Sequence, residues 1–256
     1  MSHPYFERFT PIALAHRGFA RDGLENSMTA FAAAVNLGYR YVETDVHATS
    51  DGILLAFHDS TLDRVTDRSG TIADLPWSQV RHAKIAGTEA IPLLEDLLGA
   101  WPELRVNIDI KSAAAIEPAA RTIERTRAHD RVCIASFSDH RRRQVVRRLS
   151  APVATSAGLK SAARFWLGCV TRSRARSAAA LRQVDCLQVP ERIGPVRVVS
   201  ARSVELAHTA GKQVHVWTVN EPSDMRRLLD LGVDGIVTDR ADLLRDVLVE
   251  RGVWSF

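Results

Sequence analysis

Acidic side chains recur at alternate positions in apolar segments of this sequence. Glu43 and Asp45 lie in one such segment, and Asp109 lies in another. Side chains of a strand alternate between its faces, so Glu43 and Asp45 share a face. Adjacent carboxylates repel one another unless a cation neutralises them, and carboxylates without a thiolate form the hard oxygen site that Mg²⁺ and Ca²⁺ prefer. We therefore expect one divalent cation, Mg²⁺ or Ca²⁺, with solvated strand ends or arginine pairing as the alternative.

Two histidines have the chemistry to transfer protons beside this site. His16 ends the first apolar segment, and His58 directly precedes an aspartate. Imidazole titrates near neutral pH, so it accepts a proton in one step and returns it in the next. Arg17 and Lys111 would place fixed positive charge against an anion that bridges the cation, as phosphoryl transfer requires. The alternatives are structural histidines and a lysine that pairs with the carboxylates.

Other polar or aromatic residues give weaker signals. Asn26 or Ser27 would cap the helix that follows them, and Asp239 would cap the last helix. Trp217 lies near the end of a predicted strand, where it either faces substrate or packs in the core. None of these signals specifies a reaction alone.

Short β-rich apolar segments alternate with longer amphipathic segments along the chain, which is typical of repeated strand and helix units. The predicted strands are Ile12–His16, Tyr41–His47, Arg105–Lys111, Val132–Phe137, Val153–Ser156, Cys186–Pro190, Gln213–Val219 and Gly235–Thr238. The predicted helices are Ser27–Leu37, Leu93–Ala100, Ile116–Ala128, His140–Leu149, Ala175–Arg182, Ala201–Ala210, Ser223–Leu231 and Ala241–Arg251. Eight of each predict a (β/α)₈ TIM barrel that spans residues 1–256 as a single domain.

A polar, turn-rich segment over about residues 59–92 interrupts this alternation. It is far longer than the usual loop of about 2–6 residues in an α/β unit, so we expect a small insertion after the second strand, on the rim above the barrel mouth. In a parallel barrel the active site lies at the carboxyl ends of the strands. The acidic residues and histidines described above occupy or follow those ends.

Composition excludes several classes of protein. The chain has 256 residues, 46% hydrophobic and 25% charged, which is unlike a disordered or fibrous chain. Its formal charge of +4 favours anionic partners only weakly, and no feature predicts a nucleic acid partner. Arginine runs over residues 141–148 and 172–176 form solvated helix faces or contact an anionic membrane. Three unpatterned cysteines exclude a disulfide framework, and the apolar run at residues 162–170 is too short to span a bilayer, so we expect a cytoplasmic protein.

Several motifs together resemble the glycerophosphodiester phosphodiesterases. They run in family order and cover nearly the whole chain. The motifs include Ala15-His16-Arg17-Gly18, Glu25-Asn26-Ser27, Glu43-Thr44-Asp45-Val46, Phe57-His58-Asp59, Asn107-Ile108-Asp109-Ile110-Lys111, Val216-Trp217-Thr218-Val219-Asn220 and Asp234-Gly235-Ile236-Val237-Thr238-Asp239. The resemblance implies a (β/α)₈ barrel with a small insertion after the second strand.

The resemblance also implies a role for each matching residue. It implies His16 and His58 as the acid/base pair, Glu43, Asp45 and Asp109 as ligands of one divalent cation, Arg17 and Lys111 as phosphate contacts, Trp217 as a substrate wall, and Glu25 and Asn26 as supporting residues. One position departs from the family pattern. The family usually has glutamate where this chain has Asp109, and related sphingomyelinase D-like and lysophospholipase D-like enzymes look similar to this chain there.

The implied activity is metal-dependent hydrolysis of glycerophosphodiesters to glycerol 3-phosphate and an alcohol. The family chemistry allows a neighbouring hydroxyl of the substrate to act as the nucleophile, which gives a cyclic phosphate that water then opens. The alternative is a lysophospholipase D-like or sphingomyelinase D-like enzyme, with an acyl groove at Phe165, Trp166 and Leu167. A barrel that only binds glycerophosphodiesters ranks lowest, because both histidines are present.

Overall fold

Parallel strands form the centre of the structure, a computed structural model that describes residues 3–6, 11–21 and 23–254. The predicted (β/α)₈ barrel is confirmed. Its strands are β1 (Ile12–His16), β2 (Tyr41–Ala48), β3 (Arg105–Ile110), β4 (Val132–Ala135), β5 (Ala154–Thr155), β6 (Cys186–Pro190), β7 (Gln213–Trp217) and β8 (Gly235–Thr238). Each lies where the apolar segments of the sequence predict it.

The barrel strands pair in parallel in the order β5, β4, β3, β2, β1, β8, β7, β6. A bridge between Ser156 and Cys186 then joins the two outer strands. The Asp185 backbone N–H donates to Thr155 O at 2.9 Å, and the Ala157 N–H donates to Cys186 O at 3.0 Å. These contacts nearly close the barrel, so all carboxyl ends meet at one mouth.

Amphipathic helices surround the barrel. In the described part of the chain they are α1 (Met28–Asn36), α2 (Leu94–Ala100), α3 (Ile116–Thr126), α4 (Asp139–Val146), α5 (Leu159–Val170), α6 (Arg174–Leu181), α7 (Ala201–Thr209), α8 (Pro222–Asp230) and α9 (Ala241–Glu250). Serine caps fix four of the helix starts, because their hydroxyl groups accept otherwise unpaired backbone N–H groups; they are Ser27, Ser138, Ser173 and Ser200. A 3₁₀ turn at His129–Arg131 precedes β4.

Helix α5 was not predicted from the sequence. Its buried residues Phe165, Gly168 and Cys169 follow helical spacing and face the core. Gly168 also permits close packing on α6, because a Cβ there would lie 2.5 Å from Ser177 Oγ. Among the described residues, no helix has both the length and the apolar character needed to cross a membrane.

The amino-terminal end of the barrel is closed by residues that precede β1. Tyr5 and Phe6 are buried against the first residues of several strands, among them Ile12, Tyr41 and Cys186. The Tyr41 hydroxyl donates to Tyr5 O at 2.7 Å. This apolar plug fills the end of the barrel opposite the mouth.

The segment between β2 and α2 has a small core of its own. It contains a short strand Leu54–Ala56 antiparallel to β2, a 3₁₀ turn Ile72–Asp74, a helical turn Trp77–Val80 and a hairpin of Lys84–Ile85 with Glu89–Ala90. Its buried apolar side chains form a separate cluster; they are Leu55, Phe57, Leu62, Ile72, Val80, Ala83, Ile85 and Ile91. We call this segment, residues 54–93, the insertion.

Candidate active site

Strand register brings the predicted acidic residues together at the barrel mouth. Pairing of β2 with β3 sets Asp45 opposite Asp109, and pairing of β1 with β2 sets His16 opposite Glu43. Because alternate residues of a strand face the same way, Glu43 and Asp45 both line the central cavity. The three carboxylates therefore come from two adjacent strands and share one wall.

Lys111 lies between two of these carboxylates. Its Nζ is 2.8 Å from Asp45 Oδ1 and 2.8 Å from Asp109 Oδ2. Arg17 Nε is 3.2 Å from Asp45 Oδ2. Burial raises the pKa of Asp45, but Lys111 and Arg17 outweigh that effect and lower it. Arg17 and Lys111, which the sequence predicts as phosphate contacts, thus pair with carboxylates in this structure.

The other two carboxylates are poorly compensated. Burial and the neighbouring Asp45 raise the pKa of Glu43 to about 8. Burial also raises the pKa of Asp109, although Lys111 opposes this, and Asp109 Oδ1 is buried without a hydrogen-bond partner among the described residues. Within those residues, no three acidic, histidine or cysteine side chains converge on one cation position. The unused oxygen and uncompensated charge nevertheless fit the donor chemistry of a hard divalent cation.

His16 and Asp239 form a close pair. His16 Nδ1 lies 2.6 Å from Asp239 Oδ1, and His16 Nε2 lies 3.8 Å from Glu43 Oε2. Burial lowers the pKa of His16, but the contacts with Asp239 and Glu43 outweigh it, so the pKa is raised. Asn220 Nδ2 donates to Asp239 Oδ2 at 2.9 Å and fixes the carboxylate. Asp239 therefore orients His16, and the prediction that Asp239 caps the last helix is wrong.

His58 has an equivalent partner in the insertion. His58 Nδ1 lies 2.5 Å from Asp59 Oδ1, and Arg64 Nε donates to Asp59 Oδ2 at 2.5 Å. The hydrogen bond from Arg64 lowers the pKa of Asp59 to about 2. Both histidines line the cavity, and each has a carboxylate at Nδ1. This arrangement leaves both Nε2 atoms free of their orienting carboxylates.

Glu25 links the insertion to β1. Its carboxylate accepts hydrogen bonds from Arg17 Nη1 at 2.9 Å and from Arg64 Nη2 at 2.7 Å. Burial raises the pKa of Glu25, but Arg64 and Arg17 outweigh that effect and lower it. A continuous chain of contacts thus runs from Arg17 through Glu25 and Arg64 to Asp59.

Asn26 contacts both β2 and the backbone of Arg17. Its Oδ1 accepts from the Thr44 hydroxyl at 2.7 Å, and its backbone N–H donates to Arg17 O at 2.9 Å. Asn26 has a φ of +57°, a conformation that asparagine tolerates better than most residues. Ser27 Oγ accepts from the Ala30 N–H, so Ser27 rather than Asn26 caps α1.

The cavity has a volume of about 620 Å³ and a lining of two kinds. One part carries the histidines and carboxylates. Other lining residues are apolar and include Phe137, Trp166 and Trp217. The Phe137 and Trp217 rings meet edge to face at 5.9 Å, and Lys111 Nζ lies 5.7 Å from the Phe137 ring centre. Trp217 thus faces the cavity, where the sequence predicts a substrate wall.

The predicted acyl groove is wrong at two of its three residues. Trp166 lines the cavity, but Phe165 is buried in the core and Leu167 points to solvent outside the cavity. Successive residues of a helix point in different directions, so three consecutive residues cannot line one groove. Phe137 was not predicted as a cavity residue.

Known proteins with similar sequences include glycerophosphodiester phosphodiesterases. The sequence profile of the Glycerophosphoryl diester phosphodiesterase family matches residues 16–243. A Mycobacterium tuberculosis protein named probable glycerophosphodiester phosphodiesterase 2 is 51% identical over 245 residues, covering 95% of this chain and 93% of that protein. A glycerophosphodiester phosphodiesterase of Caldanaerobacter subterraneus is 31% identical over 259 residues, covering 94% of this chain and 98% of that protein.

Solved structures share the fold. A phosphodiesterase of Oleispira antarctica, determined in complex with the product sn-glycerol-3-phosphate, superposes with a TM-score of 0.77 at 20% identity, covering 94% of this chain and 97% of that chain. A glycerophosphodiester phosphodiesterase of Thermotoga maritima gives 0.72 at 21% identity, covering 94% and 100%. The chain therefore belongs to the glycerophosphoryl diester phosphodiesterase family and is an enzyme that hydrolyses phosphodiesters.

Proposed function

We propose that this enzyme hydrolyses glycerophosphodiesters to glycerol 3-phosphate and an alcohol in a metal-dependent reaction. The observation that carries the proposal is the pairing of His16 with Asp239 and of His58 with Asp59 on one cavity that also contains three buried carboxylates. Two oriented imidazoles next to such a site suit general acid and base catalysis at a phosphoryl group. The named relatives support the substrate class.

The residues Glu43, Asp45 and Asp109 would hold the divalent cation. When bound, the cation neutralises the carboxylates and polarises the phosphoryl oxygens. Arg17 and Lys111 add fixed positive charge at the same wall, which stabilises charge that develops on the phosphoryl group. Lys111 already contacts both Asp45 and Asp109, so it also limits the repulsion between them.

The two histidines move the protons of the reaction. One accepts the proton of the nucleophile, either water or a neighbouring hydroxyl of the substrate, as the new bond to phosphorus forms. If the substrate hydroxyl attacks, the product of this step is a cyclic phosphate, which water then opens to give glycerol 3-phosphate. The other donates a proton to the alkoxide oxygen as the bond from phosphorus to the alcohol breaks. His16 and His58 both fit these roles, since each has Nδ1 engaged by a carboxylate and lines the cavity. Asp239 and Asp59 hold the rings through their contacts with Nδ1.

The proposal is tested with a substrate panel. Purified enzyme is assayed on glycerophosphocholine, glycerophosphoethanolamine and lysophosphatidylcholine, with added Mg²⁺, with added Ca²⁺ and after exhaustive chelation. We expect release of glycerol 3-phosphate from the glycerophosphodiesters that stops on chelation and returns with one of the cations. Full turnover after chelation would contradict the metal dependence and leave the phosphodiesterase activity intact.

Variants of Asp109 test its proposed part in the cation site. Asp109→Ala should lower both the cation affinity and kcat, because it removes the carboxylate with the unpartnered oxygen. Asp109→Glu should retain activity, since the resemblance implies glutamate at this position. Cation titration of the rate gives both quantities, and Asp130→Ala, at an exposed aspartate remote in sequence from the site, is the control.

The lysophospholipase D-like and sphingomyelinase D-like alternative is not favoured. The relative with 51% identity bears the glycerophosphodiester name. The acyl groove predicted for that alternative does not form as a groove of three consecutive residues. The lysophosphatidylcholine arm of the panel measures this activity directly.

A further inference from the structure

Exposed apolar side chains cluster around the mouth of the barrel. Four of the large apolar residues that are exposed in the described chain line the cavity, and their exposed fractions range from 40% to 58%; they are Phe137, Leu159, Ile193 and Val196. We call these four residues the apolar rim. Large exposed apolar patches that are bordered by polar residues commonly mark sites of contact with a partner or a membrane.

Two members of the rim lie on a projecting hairpin. Arg192–Ile193 pairs antiparallel with Val196–Arg197, and residues 192–197 are all exposed. The tip is a Gly194-Pro195 turn, in which Gly194 has a φ of +56°. The hairpin is attached below its tip, where the Val198 N–H donates to Glu191 O at 2.9 Å. The apolar side chains of the hairpin are thus exposed beside the cavity.

The hairpin carries an uncompensated pair of positive charges. Arg192 lies directly opposite Arg197 in the strand register, and like charges in that position destabilise a hairpin. Neither arginine forms an ion pair with a residue that the structure describes. The adjacent Glu191 does not neutralise them, because Arg227 binds its carboxylate at 2.7 Å and 2.9 Å. The two charges are therefore available to an anionic partner.

Helix α5 extends the basic surface. Lys160 and Arg164 are exposed one helical turn apart, next to the rim residue Leu159, and form no ion pair within the described chain. Trp166 Nε1 donates to Arg197 O at 3.4 Å, which joins this helix to the hairpin. The four basic side chains thus flank the apolar rim on two connected elements.

Three arginines of the predicted runs are engaged with acidic side chains. Arg142 is buried beside Asp139, and Arg148 binds Glu117 at 2.9 Å. Arg174 in the second run lies 3.8 Å from Glu205. The interpretation of the first run as a solvated helix face is wrong at Arg142, which is 3% exposed and lies beside Asp139, because a buried guanidinium needs an acidic partner.

We propose that the apolar rim and the four flanking basic residues dock the mouth of the barrel onto an anionic lipid surface. Apolar side chains that enter the headgroup region beside basic side chains at the phosphate level are the combination that binds such surfaces. A second copy of the chain is a poorer partner, because a symmetric contact through this surface would bring the basic side chains of one copy against the same basic surface of the other. Docking would place the cavity entrance at the lipid surface.

The proposal is tested by co-sedimentation of the full chain with vesicles. Vesicles of phosphatidylcholine alone are compared with vesicles that also contain phosphatidylglycerol. We expect binding to the anionic vesicles that weakens as salt is added. Arg192→Gln with Arg197→Gln should lower the partition coefficient about 30-fold, which corresponds to about 1 kcal/mol for each basic residue at the surface.

The apolar contribution is tested separately. Ile193→Ser with Val196→Ser should lower the partition coefficient by about tenfold or more, because less apolar surface enters the lipid. The control for charge is Arg245→Gln with Arg251→Gln, which removes two positive charges from the α9 region, and the control for apolar exposure is Val249→Ser. Both controls should bind like the unaltered protein. Far-ultraviolet circular dichroism checks that each variant is folded.

Three outcomes would overturn the proposal. The first is no binding of the unaltered protein to anionic vesicles. The second is an equal loss in the charge control, which would show only a general attraction of a basic protein. The third is a dimer, detected by sedimentation velocity, that Ile193→Ser with Val196→Ser dissociates while vesicle binding is absent. Hydrolysis of glycerophosphocholine by the Arg192 and Arg197 variant should be unchanged, so failure of the docking proposal is distinguishable from failure of the proposed function.

Discussion

The two ends of the barrel bury different kinds of residue. The carboxyl end buries Glu43, Asp45 and Asp109 with only partial compensation by Lys111 and Arg17. The amino end buries an apolar plug of aromatic side chains and, with it, the uncharged His215. Burying poorly compensated charge costs stability, whereas burying apolar surface contributes it. The comparison indicates that substitutions at the mouth should mainly affect catalysis and substitutions at the plug should mainly affect folding.

The largest effect is expected from removal of either histidine at the mouth. His16→Ala and His58→Ala should each lower kcat by about 10²–10⁴-fold, because each removes a proposed general acid or base. The double variant should be little worse than the worse single variant, since both residues serve one proton transfer sequence. Steady-state kinetics measures the loss, and His82→Ala, an exposed histidine of the insertion, is the control.

Urea unfolding of the same histidine variants tests the other half of the comparison. Their free energy of unfolding should stay close to that of the unaltered protein. A loss of stability as large as the loss of catalysis would mean that the two ends do not divide these roles.

A substitution in the apolar plug should lower the stability and leave catalysis unchanged. Tyr5→Ala should lower the free energy of unfolding by about 3–5 kcal/mol, because it leaves a cavity among buried aromatic rings. The kcat of the folded fraction should be unchanged. Tyr5→Phe is the matched control and should cost little, since the buried Tyr5 hydroxyl has no hydrogen-bond partner among the described residues. Equal losses for the two variants would contradict the packing explanation.

Acid should weaken the plug through His215. Burial lowers the pKa of His215 from 6.5 to about 4. Between these pH values the unfolded chain binds the proton and the folded chain does not, so stability falls as the pH drops from about 6.5 to about 4. The loss from this residue is roughly 3 kcal/mol. Urea unfolding at both ends of this pH range should show a smaller acid loss for His215→Gln than for the unaltered protein, with His82→Gln as the control.

The smallest expected effects come from the two aspartates that contact the histidines at the mouth. Asp239→Asn and Asp59→Asn should each lower kcat, by about 10–100-fold for Asp239, because misplacement of a catalytic group by a fraction of an ångström is costly. Asp59→Asn should lower it less, since His58 is more exposed than His16 and water can replace part of the contact. Steady-state measurement of kcat and KM tests both variants. A purely structural role for either aspartate would leave the kcat of the folded enzyme unchanged.

The barrel could be predicted from the sequence because its strands are marked locally. Each apolar segment identifies a strand by its own residues, and alternation identifies the face of Glu43 and Asp45. Helix α5 was missed because its apolar residues were considered as a possible membrane segment and as an acyl groove, and not for helical periodicity. Its helical spacing, with Phe165, Gly168 and Cys169 on one side, was available in the sequence.

The partners of the site residues could not be predicted in the same way. Asp239 is 223 positions from His16, and Arg64 is 39 positions from Glu25, so no spacing rule relates them. Asp239 lies beside a helix start, where a cap is the usual role for aspartate, and this local preference led to the wrong interpretation. Long-range contacts of this kind follow from barrel closure rather than from local sequence.

The contact chain from Arg17 through Glu25 and Arg64 to Asp59 joins two separately packed units. Arg64 and His58 belong to the insertion, whose small apolar cluster is distinct from the core of the barrel. Units with few buried contacts open locally at lower free energy than the whole protein does. Opening of the insertion would withdraw Arg64 from Glu25 and Asp59 and displace His58 while the barrel stays folded. Gradual heating is therefore expected to lower the activity before the barrel denatures, and this first loss of activity would report the opening of the insertion.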